Sequence, residues 1–194
     1  MEKSYCIQKR TDRRKYVMRM NTIIEELDRS SKTIAPEKLQ EVIKKIKEHK
    51  RIFVYGTGRS GLMLKAFAMR LMQIGLNSYV VGETTTPSVQ EGDLLIVASA
   101  SGETGSVCMT AESAVKQGVD LIVISSAPES TLGKIHAPDI EIEAATKFAT
   151  SKVSVQPLGS LFEQMLLMVF DTIILEMSEE KKEATKIWQN AMQV

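Results

Sequence analysis

Aromatic residues are scarce, at 5% of the chain with a single tryptophan, which argues against a platform of stacked nucleic-acid bases. Cysteine is rarer still. Cys6 and Cys108 stand far apart without metal-ligand spacing, so neither a disulfide framework nor a zinc site is expected, and a reduced, cytoplasmic setting fits. Net charge is almost absent. Lys and Arg number 25 against 24 Asp and Glu, a balance of +1, too small for a global field toward nucleic acid or an acidic partner. There are two histidines and no His/Cys/Asp/Glu cluster in the sequence, so no metal is expected. No apolar run reads as a membrane span, because the longest, Leu158 to Met177, is broken by Ser160, Glu163, Gln164 and Asp171. The first twenty residues are too polar for a secretory core, and their basic side chains, set against Glu2 and Asp12, read as a solvated helix face, with an amphipathic basic anchor as the alternative.

What remains is an ordinary globular composition, 43% hydrophobic and 25% charged over 194 residues, enough to bury a core without staples. At ~150 residues per domain it reads as one domain: a helical N-terminal extension over 1–50, an α/β core over 51–178 and a tail over 179–194. Val17 to Arg29 has an amphipathic pattern, with Val17, Met20, Ile24 and Leu27 near one face. Pro36 opens a second helix with Leu39, Val42, Ile43 and Ile46 as its stripe. The period then changes. Ile52 to Tyr55, Tyr79 to Val81, Leu94 to Ala98, Leu121 to Ile124 and Ile140 to Ile142 are short apolar runs that read as strands. Between them, Gly58 to Ser60 reads as a turn, Gly61 to Ile74 and Thr104 to Gln117 as helices stopped by Gly75 and Gly118, and Lys147 to Gln156 as a loop. Leu158 to Met177 is expected to be a long helix, followed by a helical tail. Apolar strands without in/out alternation need cover on both faces. The fold class is therefore α/β, a doubly wound five-stranded parallel sheet, flavodoxin-like, behind an N-terminal helical hairpin. Ligands of such sheets bind beyond the carboxyl ends of the strands, at the switch point.

Two turns there carry chemistry. Gly56-Thr57-Gly58-Arg59-Ser60-Gly61 is only loosely a dinucleotide fingerprint, because its third glycine comes early; Glu83 after the second strand keeps that reading open. The same turn suits an anion, with glycines that admit backbone N–H groups, Ser60 as helix cap or donor, and Arg59 as a charged fork. A plain strand-to-helix turn is the bland alternative. The second turn, Ser99-Ala100-Ser101-Gly102-Glu103-Thr104, sets three hydroxyls beside a helix start. Hydroxyl donors suit a phosphomonoester without net charge. The competing reading is a serine capping box with Glu103 in the first turn.

Together with Phe67 to Met72, Val81 to Pro87, Glu91 to Leu94 and Pro157-Leu158-Gly159-Ser160-Leu161-Phe162-Glu163, these two turns resemble the sugar isomerase (SIS) domain family, and within it the 6-phospho-3-hexuloisomerases, from about residue 17 to residue 177. The resemblance implies interconversion of 3-hexulose 6-phosphate and fructose 6-phosphate, a step of formaldehyde fixation by the ribulose monophosphate route. It implies no cofactor, a five-stranded sheet and a homotetramer. Carried over by residue, Ser60, Ser99, Ser101 and Thr104 hold the phosphate, Arg59 lies beside it or near the sugar, and Glu163 is the catalytic base. Two positions depart from the pattern. Ala100 stands where the family writes glycine, and the tail holds no histidine; aligned on Asn190, Trp188 takes that place.

The chemistry fits the residues. Moving a carbonyl to the next carbon takes a C–H proton off and returns it through an enediol, which one carboxylate can do. Glu163 shares one helical stripe with Ser160, Gln164 and Asp171 in an otherwise apolar segment. A carboxylate capping the helix start or paired with a cation is the alternative. His49, among Lys47, Lys50 and Arg51, and His136 both read as structural. Two functions stay open: a phosphosugar isomerase, or a SIS-type module that binds a sugar phosphate without turnover. The apolar helices Gly61 to Ile74 and 158–177 carry more hydrophobic surface than one sheet covers, so the partners expected are the phosphorylated sugar and further copies of the chain, with neither nucleic acid nor membrane.

Overall fold

The computed structural model describes residues 2–144, 154–157 and 159–180. Helices α1 (Glu2–Ser31) and α2 (Pro36–Glu48) precede β1 (Arg51–Tyr55). Then follow α3 (Gly58–Gln73), β2 (Asn77–Val80), β3 (Leu94–Ser99), α4 (Gly105–Lys116), β4 (Asp120–Ser125), α5 (Thr131–Ile135), β5 (Ile140–Glu141) and α6 (Ser160–Glu180). The five strands form one sheet in the order β2-β1-β3-β4-β5, every pair parallel. The expected doubly wound α/β sheet is thus observed, and β1 and β3, neighbours at its centre, mark the switch point.

The strands are apolar on both sides because both sides are covered. Ile52, Val54, Leu94, Ile96, Ala98, Ile122 and Ile124 pack with α2, α3 and α6 residues, among them Ile46, Leu64, Phe67, Phe162 and Phe170. Their alternating neighbours Phe53, Leu95, Val97, Leu121 and Val123 pack with Val107, Ala111 and Leu132 of α4 and α5. The period of two is therefore present but silent in the hydropathy. On the first face the Phe67 and Phe170 rings stack with centroids 4.1 Å apart and an interplanar angle of 7°, joining α3 to α6.

Four expectations need correction or extension. Helix α3 begins at Gly58 rather than Gly61, so Arg59 and Ser60 sit in its first turn instead of a preceding loop. The Gly61 N–H donates to the Thr57 carbonyl at 3.1 Å, which a glycine-rich hexapeptide does not advertise. Helix α5 was not expected. It is five residues long, and the Ser130 hydroxyl caps it by accepting from the Gly133 N–H at 3.2 Å. The stripe assigned to α1 is wrong in part: Val17, Met20 and Ile24 are exposed, while the helix buries Glu26 and Ser30. Finally, most of the loop expected over Lys147 to Gln156 lies outside the described residues, as do Leu158, the tail beyond Glu180 and with it Trp188.

Both histidines have carboxylate partners away from the switch point. The His49 Nε2 lies 2.8 Å from Asp120 Oδ2, and the His136 Nε2 lies 3.1 Å from Asp139 Oδ2, which also accepts the Val123 N–H at 2.8 Å. Phe170 is 1% exposed. Phe170→Ala should therefore cost about 3–5 kcal/mol, read as a lowered midpoint in urea denaturation at unchanged m-value.

Candidate active site at the switch point

Tyr55 of β1 is paired with Val97 of β3, so the turns leaving these strands start side by side. The β1–α3 turn is as tight as backbone allows. A Cβ on Gly61 would lie 2.5 Å from the Gly56 carbonyl oxygen, and one on Gly56 would lie 2.6 Å from Leu64 Cδ1. Only glycine lets α3 start this close to the strand end. The Thr57 side chain makes no cap bond, and Ser60, half-buried within the first turn, is not the helix cap. The first-turn N–H groups of α3, which the helix cannot bond internally, open at the carboxyl end of β1.

The β3–α4 turn is held from behind. Gly102 has φ 62°, and a Cβ there would lie 1.8 Å from Ser130 Oγ. Its carbonyl accepts the Leu132 N–H at 2.9 Å, and the Ala100 carbonyl accepts the Ser126 N–H at 3.2 Å. Glu103 does not close a capping box. Its carboxylate accepts from the Thr131 N–H at 2.9 Å and the Thr131 hydroxyl at 2.7 Å, and these bonds hold its carboxyl below the usual range. The hydroxyls shape the loop's inner side. The Ser99 and Thr104 oxygens are 3.2 Å apart, Ser99 Oγ accepts the Gly102 N–H at 3.2 Å, and Ser101 Oγ accepts the Glu103 N–H at 3.3 Å. Thr104 is the N-cap of α4 yet makes no side-chain cap bond. Ser99 and Thr104 thus meet beside a helix N-terminus, in a turn whose uncharged donors suit the oxygens of an anion. Cys108 supports it from below, its thiol donating to the Gly102 carbonyl at 3.4 Å; burial pushes that thiol up, with a smaller upward push from Glu103.

Glu163 comes from the first turn of α6, with its N–H bonded to the Gly159 carbonyl at 3.1 Å. Its side chain is 12% exposed and is ion-paired with the Nε of Arg59, whose side chain is 65% exposed. That contact joins the start of α6 to the start of α3 and so carries the carboxylate to the β1–α3 turn. A Cβ on Gly159 would stand 3.3 Å from Glu163 Oε1, so this glycine leaves the carboxylate its room. Of the residues named from sequence, the structure groups Arg59, Ser60 and Glu163 around one turn and Ser99, Ser101 and Thr104 around the other, on adjacent strands. Sequence reasoning missed the Ser130–Thr131 clasp and the Arg59–Glu163 pair. The clasp joins residues 28 apart and the pair residues 104 apart, and no spacing signals either. An open cleft of about 410 Å³ lies elsewhere, between α4 and the β2–β3 connection, lined by Val81, Val89, Leu95, Met109 and Gln117 among others; none of the six candidate residues lines it.

Residues 45–169 match the SIS domain family model. The chain belongs to the SIS domain family. It is 42% identical over 161 residues to the 3-hexulose-6-phosphate isomerase of Bacillus subtilis, covering 82% of this chain and 87% of that one. Against the 3-hexulose-6-phosphate isomerase of Mycobacterium gastri it is 37% identical, covering 87% and 86%. A crystal structure from Methanococcus jannaschii, described as inferring a 3-hexulose-6-phosphate isomerase function, is 32% identical with a TM-score of 0.70, over 87% of this chain and 96% of that one. A further crystal structure, of a hypothetical protein, has a TM-score of 0.81 at 32% identity, over 92% and 96%. Among the described residues of this SIS domain no helix is long and apolar enough to cross a membrane. A hydrogen bond from Ser101 to a bound phosphate predicts that Ser101→Ala weakens phosphosugar binding by about 1.5–3 kcal/mol, the value of a hydrogen bond to a charged group. Titration calorimetry with fructose 6-phosphate measures it, with equal affinities counting against that bond.

Proposed function

We propose that this SIS domain is a phosphosugar isomerase that interconverts 3-hexulose 6-phosphate and fructose 6-phosphate. The observation that carries the reading is the Arg59–Glu163 pair, which brings a mostly buried carboxylate to the β1–α3 turn beside the hydroxyl turn of β3. Similarity to relatives named for that reaction supports the substrate.

In this reading the residues divide the work as follows. Ser99, Ser101 and Thr104, with Ser60 and the first-turn N–H groups of α3 and α4, hold the phosphate at one end of the sugar. Glu163 takes the proton from C2. The C2–H electrons form the C2–C3 double bond as the C3 carbonyl oxygen gains the negative charge. The hydroxyl proton passes from O2 to O3, and Glu163 returns its proton to C3, leaving the carbonyl at C2. Arg59 orients the carboxylate and, lying beside the sugar, favours the negative charge of the enediolate. Proton transfers alone balance the reaction, so it proceeds without a redox or carrier group. The whole chain serves as one such domain, in the cytoplasm.

Glu163→Gln keeps shape and loses basicity. It should lower turnover of 3-hexulose 6-phosphate by about 10²–10⁴-fold, the usual value of a positioned base, with KM nearly unchanged and solvent-deuterium exchange at the substrate carbon suppressed. Undiminished exchange moves the role to another residue. A wild-type chain that binds the sugar phosphate without converting it is a sensor instead.

The enzyme assembles as a homotetramer in this reading. Leu62, Met69 and Met72 on α3, Leu167, Met168 and Leu175 on α6, and Val17, Met20 and Ile24 on α1 are all exposed in the single chain, an apolar surface of the kind subunit interfaces cover. Light scattering at low micromolar concentration should give about four times the 21.6 kDa of one chain; a monomer mass overturns it.

A further inference from the structure

A helix lying on the surface of a sheet normally turns apolar residues inward. Helix α1 instead buries Glu26, 5% exposed, and Ser30, 3% exposed, one turn apart on the same face. Neither is buried idly. The Glu26 carboxylate accepts the Ser154 hydroxyl at 2.6 Å, the Val155 N–H at 2.7 Å and the Gln156 side-chain N–H at 2.9 Å. Three successive residues thus donate to one carboxylate. The Gln156 N–H closes the arrangement on Ser154 Oγ at 3.0 Å. One turn further along α1, the Ser30 hydroxyl donates to the Glu143 carbonyl at 3.0 Å. Helix α1 therefore grips the backbone after β5 and again just before α6.

A leucine at position 26 would bury the same helix face at lower cost, because a buried charge needs compensation by donors. The carboxylate makes sense as a clamp for residues 154–156. Burial pushes its carboxyl up, and the bonds from Ser154, Val155 and Gln156, with Arg29 nearby, more than reverse that, so it holds the tripeptide as an ionised acceptor at neutral pH. From there the path to the base is short and bonded. The Pro157 carbonyl accepts the Ser160 N–H at 3.0 Å, and the Gly159 carbonyl accepts the Glu163 N–H at 3.1 Å. The start of α6, and with it the carboxylate of Glu163, is set by where the 154–156 tripeptide is held.

We infer that Glu26 is a positioning residue of the site, fixing residues 154–156 and through them the place of Glu163 relative to the sugar. This rests on the assignment of Glu163 as the base. Glu26 bonds to residues 154–156, whereas the side-chain bonds of the hydroxyl turn run within it and to Thr131. Loss of the clamp should therefore act on the proton transfer and spare phosphate binding.

The test uses three variants of the full chain. Glu26→Ala removes the acceptor. Glu26→Gln keeps one oxygen for the Val155 N–H and offers its amide N–H groups to Ser154 Oγ and a turned Gln156 side chain. Ser154→Ala removes one bond without touching α1. Glu26→Ala should lower kcat for 3-hexulose 6-phosphate by roughly ten- to hundredfold, the cost of a misplaced catalytic group, at nearly unchanged KM. Glu26→Gln should recover most of it, and Ser154→Ala should show a smaller loss in the same direction. In hydrogen exchange, the amides of Ser160 to Glu163 should lose protection in Glu26→Ala while those of β3 and β4 keep it. Unchanged kcat and exchange in Glu26→Ala overturn the inference. So does a joint rise in KM and loss of β3 and β4 protection, which marks general loosening; if Glu26→Ala does not fold, Ser154→Ala decides by the same readouts. Absence of turnover in the wild type removes the isomerase reading alone; exchange at residues 160–163 then decides the clamp by itself.

Discussion

Parallel strands cannot be joined by a tight turn; each must be followed by a crossover that carries the chain back to where the next strand begins. In this protein that constraint does more than build a sheet. It sends all the carboxyl ends of five strands to one edge and places there the starts of α3 and α4, the ends of helices that carry free N–H groups and partial positive charge. Because the strand order runs β2-β1-β3-β4-β5, α3 leaves β1 for one face and α4 leaves β3 for the other. The two turns part company beyond a pair of adjacent strands, and a gap opens without any element having been displaced to make it. In a chain of net charge +1, the donors gathered there are mostly dipoles and hydroxyls, fixed by backbone geometry, instead of a surplus of lysine and arginine.

The strands were legible because each is a short run buried on both sides, and the two phosphate-type turns were legible because glycine and serine follow such runs directly. What the residues did not reveal is physical in origin. Helix α3 reaches back to Gly58 because a long helix propagates through residues that would not nucleate one. Helix α5 has too few residues to show a period. Glu103 looked like half of a capping box, and its true partner, Thr131, is brought near only by the pairing of β3 with β4. Periodicity scores apolar residues and so runs a stripe on α1 through Val17, Met20, Ile24 and Leu27; of these Leu27 packs against the core, and the buried residues beside it are Glu26 and Ser30, which such scoring passes over. Glu163 could be singled out as a polar residue in an apolar helix and by resemblance, but its pairing with Arg59 is a property of the closed fold.

Several buried or half-buried side chains here serve backbone groups that no neighbouring strand or helix pairs. Asp139 receives the Val123 N–H at the edge of β4, Asp93 receives Arg51 and the Gln90 N–H before β3, and Ser130 stands against Gly102. Each satisfies groups that would otherwise be stranded, at the cost of needing its partner in one place. The order of the loops thus comes from side chains that are themselves held by the sheet.

The sheet also acts as a partition. Arg59 and Glu163 belong to α3 and α6, which meet through the stacked rings of Phe67 and Phe170 on one face. Ser99, Ser101 and Thr104 lead into α4, whose core contacts lie on the other. The carboxylate and most of the hydroxyl turn therefore lead into helices on opposite faces of the sheet, while Ser60, in the first turn of α3, stays on the Arg59 side. The surroundings of the carboxylate and those of the hydroxyl turn can therefore be altered from opposite faces of the sheet, through α6 on one side and α4 on the other.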